Sequence, residues 1–221
     1  MLNRRDMLGL SSLLGLATVA QASIPPFAKD EKSLKGTKTE QNLLKAFAGE
    51  SQARNRYTAF AQKAEEEGYV EVARVFLETA DQERVHAMRL FSCLDRGEDL
   101  EITAAFPAGK VSDTASNLRA AAAGEKHEWH SMYPEFAKIA EEEGFPKIAR
   151  LFKLIATAEV GHEDRYLTLA KRVDEGYFKA DDEIEWECMV CGYVYKGPRA
   201  LARCPVCGLK QAEFRKRITY K

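Results

Sequence analysis

AGESQARNRYTAFAQKAEEEGYVEVARVFLETADQERVHA, residues 48–87, puts Glu50, Glu83 and His86 on helical stripes that are otherwise apolar. The same pattern returns in AAGEKHEWHSMYPEFAKIAEEEGFPKIARLFKLIATAEVGHEDRY, residues 122–166. Laying AEEEGY on AEEEGF sets the copies 76 residues apart and carries Glu83 onto Glu159 and His86 onto His162, whereas Glu50 meets Glu125 only at a shift of 75. A duplicated helical hairpin is the simplest account.

Periodicity shows where these side chains point. Ile148, Phe152, Ile155, Glu159, His162, Tyr166 and Leu169 succeed one another at spacings of three and four, which is one face of a bundle helix. Val72, Phe76, Thr79, Glu83, His86 and Leu90 repeat it, and Leu43, Phe47, Glu50, Tyr57 and Ala64 form the inward stripe of the preceding helix. A single Glu-x-x-His is ordinarily a solvated pair on a helix surface. Two such pairs, phased with two more inward glutamates, are different. A buried carboxylate loses several kcal/mol to desolvation unless it is neutralised, so converging carboxylates require cations. One Glu from each of two helices, with Glu-x-x-His from each of the other two, is the donor set of two-metal sites in bundle cores. Glu50 and Glu125 are the single donors here, and Glu83 with His86 and Glu159 with His162 are the pairs.

Glu125 is followed at i+3 by Glu128, which brings the set to five Glu and two His. This set, with AGE at both Glu50 and Glu125, resembles the rubrerythrins, a peroxide-reducing branch of the ferritin-like superfamily, over about residues 39–221. The resemblance implies two non-haem irons bridged by Glu83 and Glu159, with Glu50 terminal on one and Glu125 with His162 on the other. It also implies that Glu128 and His86 exchange as ligands of the first iron when the redox state changes, and that Tyr57 and Tyr133 stand beside the cluster. Glu128, His86, Tyr57 and Tyr133 are accordingly the expected catalytic residues. Ferric iron, the harder ion, favours a carboxylate, and ferrous iron accepts imidazole more readily, so a site offering both follows the metal's charge. Glu50 to Tyr57 is seven residues but Glu125 to Tyr133 is eight. If both tyrosines face the site, the third helix absorbs one residue, most simply as a π-bulge near Glu128.

A second metal signal lies near the carboxyl end. Cys188, Cys191, Cys204 and Cys207 form two C-x-x-C-G knuckles with twelve residues between them. Four thiolates at that spacing suit a tetrahedral site for zinc or for iron. Gly192 and Gly208 follow the second cysteine of each knuckle, where positive φ turns backbone N–H groups toward sulfur. Such hydrogen bonds raise an iron site's potential. The knuckles, with Tyr193 and Tyr195, resemble rubredoxin, and that resemblance implies iron used for electron transfer. The fifth cysteine, Cys93, reads as a small buried hydrophobe.

The amino terminus reads as a targeting segment. Arg4 and Arg5 precede an apolar run from Met7 to Ala20, and Ala20, Gln21 and Ala22 offer an A-x-A cleavage site. NRRDML resembles the twin-arginine export motif, with Met7 where that motif usually has Phe and Asn3 in place of Ser. The expected location is therefore periplasmic, with an uncleaved membrane-anchoring leader or a cytoplasmic protein as alternatives. The formal charge of −1 carries no basic stripe of the kind that advertises nucleic acid, and no membrane-spanning stretch is expected in the mature chain.

These breaks give a fold class: an all-α, ferritin-like four-helix bundle made of a duplicated hairpin, followed by a small β-rich rubredoxin-like domain. The expected divisions are a signal peptide at 1–22, a linker at 23–38, the di-iron bundle at 39–178 and the four-cysteine domain at 183–221. Helices are expected at 39–67, 70–95, 113–142 and 146–175, with residues 97–112 as the crossover between hairpins. The runs Glu65–Glu67 and Glu141–Glu143 read as solvated helix ends before Gly68 and Gly144.

The function these residues and the resemblance imply is a hydrogen peroxide reductase of oxidative-stress defence, fed by an unidentified electron donor through the cysteine-held iron. The family also implies a head-to-tail homodimer. A ferroxidase that handles iron and a zinc-stabilised, non-enzymatic module are the alternatives.

Overall fold

Phe27, residues 30–94 and residues 97–218 are described by the structure, a computed structural model. The expected export segment, residues 1–22, lies outside the described residues. Helices α1 (Lys38–Glu66) and α2 (Val70–Phe91) form one hairpin. The second consists of α3 (Thr114–His127), a π-helical turn (Glu128–Met132) and α4 (Tyr133–Glu142), read as one continuous rod, packed on α5 (Pro146–Asp174). Among the described residues no helix is long and apolar enough to cross a membrane.

Both hairpins turn in the same way. Gly68 and Gly144 adopt φ of +83° and +82°, and the residue after each donates back five positions, Tyr69 N to Ala64 O at 2.8 Å and Phe145 N to Ala140 O at 2.7 Å. This is the left-handed helix ending that glycine alone adopts without penalty. Pro146 then opens α5 at a position whose N–H has no intrahelical partner. Helix α2 ends earlier than its pattern suggests. Beyond Phe91 the chain tightens into three-residue turns, Cys93 N to Leu90 O and Leu94 N to Phe91 O, both 3.0 Å.

The acidic runs are more than solvated ends. Glu143 accepts from Lys38 N (3.0 Å), Thr39 N (2.8 Å) and Thr39 Oγ1 (2.6 Å), and so caps the first turn of α1. Glu67, its duplication counterpart, accepts from Thr114 N (2.9 Å) and Thr114 Oγ1 (2.7 Å) at the start of α3. Each hairpin's turn thus caps the leading helix of the other hairpin, a pairing that no local pattern announces. The Thr114 bonds draw Glu67 below the usual carboxylate range. At Glu143 burial acts upward, but the bonds from Thr39 and Lys38 prevail and lower it too. A carboxylate lowered by folding stabilises the fold above its unfolded pKa of about 4.3 and loses that contribution as pH falls through the folded value. Replacing Glu67 or Glu143 by Ala is therefore expected to cost about 1 kcal/mol at pH 7, with the deficit shrinking toward pH 3. Urea midpoints at both pH values measure it.

The expected linker is docked along its described part. Asp30 accepts from Lys147 N and Ile148 N at 3.2 Å each, capping α5, while Lys32 Nζ donates to Glu143 O and lies 5.2 Å from the centre of the Phe145 ring. Leu34 is buried in the core cluster at that end.

Two apolar clusters fill the bundle, one around Tyr57, Phe60, Phe76, Leu118 and Tyr166, the other around Leu43, Leu90, Tyr133, Phe145 and Phe152. The acidic residues lie between them. Cys93 is fully buried in the second cluster, as its small apolar character implies. The final domain is a three-stranded antiparallel sheet in the order β2-β1-β3, from β1 (Lys179–Cys188), β2 (Val194–Arg199) and β3 (Phe214–Lys216). Trp186 and Phe214 form its core with Cys188 and Cys204. The domain meets the bundle at the α1–α2 turn, where Tyr69 stacks on Phe178 and Arg74 reaches Glu213 at 3.6 Å.

Candidate metal centres

Four helices deliver the expected donors to one point. Glu50, Glu83, Glu125, Glu159 and His162 are at most 3% exposed, on α1, α2, α3 and α5. Their atoms fall into two sets, Glu50 with Glu83, His86 and Glu159, and Glu83 with Glu125, Glu159 and His162. Within each set the donor atoms all lie within 4.8 Å of one another. Ligands about 2.0–2.2 Å from a cation stand up to roughly 4.4 Å apart across it, so each set has the size of one coordination shell. Glu83 and Glu159 belong to both.

The orphaned atoms support this fit. Glu50 Oε2, Glu83 Oε1, both oxygens of Glu159 and His162 Nδ1 are buried without an aligned hydrogen bond. His162 Nδ1 is nonetheless 2.6 Å from Glu159 Oε2 and 3.1 Å from Glu83 Oε1. Close approach without alignment means that these lone pairs converge on a common point, which is what a cation takes. On the other side, His86 Nδ1 is 3.0 Å from Glu83 Oε2 and 2.9 Å from Glu159 Oε1.

The electrostatics carry the same message. Burial pushes the Glu50 and Glu128 carboxyls well up, helped by neighbouring carboxylates, and raises Glu125 to about 8. Glu83 is drawn to about 2, because its bonds to His162 and His86 overcome burial. Burial disfavours the charged imidazoles, but the facing carboxylates raise His86 to about 9 and His162 to about 12. Protons supply the positive charge this cluster demands when no cation does. Metal loading therefore displaces them and tightens as pH rises.

Tyrosines close both ends. Tyr57 Oη donates to Glu125 Oε1 at 2.5 Å, and Tyr133 Oη donates to Glu50 Oε1. Burial keeps both phenols protonated, well above the ordinary tyrosine range. The tyrosines are related by the shift of 76, as are the Glu-x-x-His pairs, and the π-helical turn Glu128–Met132 absorbs the extra residue after Glu125. Glu128 opens that turn. It joins neither donor set, and its Oε2 is buried without a partner. It lines a cavity of about 320 Å³ that Gln52, Arg56, Phe106, Pro107 and Ser131 also line.

One residue behind the donors escaped the sequence reading. Gln82 Oε1 is 3.0 Å from His162 Nε2 and also accepts from Arg165 Nη2 at 3.3 Å. Its place immediately before Glu83, with no Gln before Glu159, was the available signal.

The four cysteines form the second centre. Cys188 and Cys207 sulfurs are 3.7 Å apart and those of Cys191 and Cys204 3.5 Å, with all four within 4.8 Å of one another. Sulfurs about 2.3 Å from a tetrahedral cation stand roughly 3.8 Å apart. Gly192 and Gly208 take φ of +74° and +75°, and the N–H groups that reach sulfur belong to the residues after them, Tyr193 toward Cys191 and Leu209 toward Cys207. Burial raises the Cys204 thiol, but the N–H groups of Cys207 and Val206 outweigh it and bring its pKa to about 7.

Known proteins share both centres. Residues 41–170 match the family model described as Rubrerythrin, and residues 186–215 match that of the rubrerythrin rubredoxin-like domain. The chain is 55% identical over 193 residues to a rubrerythrin of Porphyromonas gingivalis, covering 87% of this chain and 96% of that protein. It is 54% identical over 184 residues to a rubrerythrin of Nitratidesulfovibrio vulgaris, covering 83% of this chain and 96% of that protein. The solved structure of fully reduced, all-ferrous nigerythrin superposes with a TM-score of 0.57 at 33% identity, over 87% of this chain and 92% of that one. A bundle with a di-iron carboxylate and histidine site, continuous with a four-cysteine rubredoxin-like site and alike over both parts to these proteins, places the chain in the rubrerythrin family.

Proposed function

We propose that this protein reduces hydrogen peroxide to water at the bundle centre, with electrons arriving through the four-cysteine centre. The observation that carries the reading is the presence on one chain of two donor sets sharing Glu83 and Glu159 and of a four-sulfur knuckle. When bound, the iron pair supplies the two electrons of H2O2 + 2H⁺ + 2e⁻ → 2H2O, and the thiolate-held iron renews them singly.

The chain's own residues do the rest. Glu83 and Glu159 span both positions, Glu50 with His86 completes the first, and Glu125 with His162 completes the second. Glu128, outside both sets but near enough to Glu50 for its charge to push that carboxyl up, is the alternative donor to His86 at the first position. Tyr57 and Tyr133 hold protons on their hydroxyls and orient the terminal carboxylates Glu125 and Glu50, and the apolar clusters behind them exclude water. Peroxide enters through the cavity that Phe106 and Pro107 line, and Glu128, whose pKa burial raises, holds a proton on its wall.

Steady-state peroxide consumption by the purified chain, with near three irons per chain, tests the reading. Accumulation of many irons per chain, with no dependence on the cysteines, would instead identify a ferroxidase. Within it, Glu128→Ala is expected to leave the reduced centre assembled, since His86 still completes the first position, but to slow the reaction with peroxide roughly 10–100-fold. His86→Ala should weaken ferrous iron binding more than ferric. Iron content under reducing and oxidising conditions, with stopped-flow mixing against peroxide, separates the two.

The same proposal includes export and pairing. Arg4, Arg5 and the A-x-A at Ala20–Ala22 support a twin-arginine signal and a periplasmic location. A head-to-tail homodimer is supported by the position of the knuckle domain, which docks at Tyr69 and Arg74. Glu83 lies nine residues beyond Arg74, about 13 Å along α2, so the domain's docking point is set apart from the chain's own donors.

A further inference from the structure

The duplication makes His86 and His162 equivalent, yet among the described residues only His162 is held from behind. His162 Nε2 lies 3.0 Å from Gln82 Oε1, an atom that can only accept, so Nε2 keeps its proton and Nδ1 is the nitrogen that gives up its own and offers a lone pair when a cation binds. Arg165 fixes which end of the Gln82 amide points inward, because it donates from Nη2 to Gln82 Oε1 at 3.3 Å and from Nη1 to Glu78 Oε1 at 3.0 Å, and a guanidinium has no acceptor. Gln82 Nε2 completes the loop on Glu78 Oε1 at 3.3 Å.

Shifting this chain of contacts by 76 residues gives its counterpart behind His86. Arg165 becomes Arg89, but Gln82 becomes Ala158 and Glu78 becomes Leu154. Neither replacement carries a polar side-chain atom, and among the described residues the hydrogen-bond and ion-pair contacts that the structure gives His86 all run through Nδ1. Its side chain is 15% exposed, against 4% for His162.

We propose that Gln82 is a positioning residue that fixes His162 as a permanent donor, and that Ala158, in the equivalent place, leaves His86 free to turn. This rests on the two-cation reading above, and it identifies one residue pair as the source of asymmetry in a centre built from two nearly identical halves.

Co(II), titrated into the full-length protein against a competing chelator, reads the two positions without peroxide. Gln82→Ala is expected to weaken the second position roughly 10–100-fold, with Gln82→Glu, which still accepts from Nε2, restoring it to within a few-fold. Ala158→Gln should tighten the first position and, in a crystal of the Co(II) form, place its side-chain oxygen on His86 Nε2. Unchanged Co(II) affinity in Gln82→Ala, or a His86 that ignores the new glutamine, overturns the proposal. Wild-type peroxide turnover is measured separately, so a chain that shows the Gln82 dependence yet consumes no peroxide supports the lock and removes the peroxidase reading.

Discussion

Replacing Glu159 by Ala is expected to strip the bundle of both its irons while leaving the cysteine centre loaded, so that metal content falls from about three irons per chain to about one. Glu159 contributes to both donor sets, and both of its oxygens are buried without an aligned partner. Losing a residue that orients a ligand already costs metal sites 10–100-fold in affinity, and losing a donor shared by two cations costs more. Peroxide turnover should become undetectable. Misfolding would mimic this result, so the variant is also melted with and without added metal. A ligand at one hundred times its dissociation constant adds about 2.7 kcal/mol of stability, and the wild type should show a rise of that order. The variant should melt cooperatively and show none. Two irons retained with ordinary turnover would dismiss Glu159 as a shared donor.

The second large effect is expected at the opposite end of the chain. Cys204→Ser should abolish the visible absorption of ferric thiolate and stop multiple turnover, while chemically reduced protein still consumes one equivalent of peroxide. Two N–H groups bring the Cys204 pKa to about 7, below the ordinary thiol value, so it readily gives a thiolate to a metal, and serine has no comparable anion to offer. The domain holding it has a small core around Trp186 and Phe214, so its fold should loosen when the metal is lost. Undiminished steady-state turnover in this variant would mean that electrons enter the bundle by another route.

The sequence by itself pointed to the six donors that meet in the two sets, because the evidence for them is periodic and local, though it also counted Glu128, which joins neither. A glutamate in phase with Phe152 and Ile155 must face where they face, and the stripe of α5 came out buried from Ile148 to Leu169. The duplication, read at shifts of 76 and 75, implied the π-helical turn, since one extra residue in a rod with two inward-facing anchors has to be absorbed between them. The knuckle spacing likewise contained the four-sulfur cluster. Only the tertiary structure decided which partners meet across helices. Glu67 and Glu143 look like surface charge in a window of ten residues, and they become caps because each turn happens to abut the other hairpin's first helix. Residues 23–38 read as a linker, yet in their described part Asp30 and Lys32 find partners more than 100 positions away. Five carboxylates in phase do not reveal which of them stand together, and packing put His86 inside the first set and Glu128 outside it. Gln82 supplied no periodic signal, because a polar residue at the edge of a buried stripe gains its meaning from whatever lies opposite. Helical phase is a property of one segment, whereas a hydrogen bond between segments depends on how the segments dock.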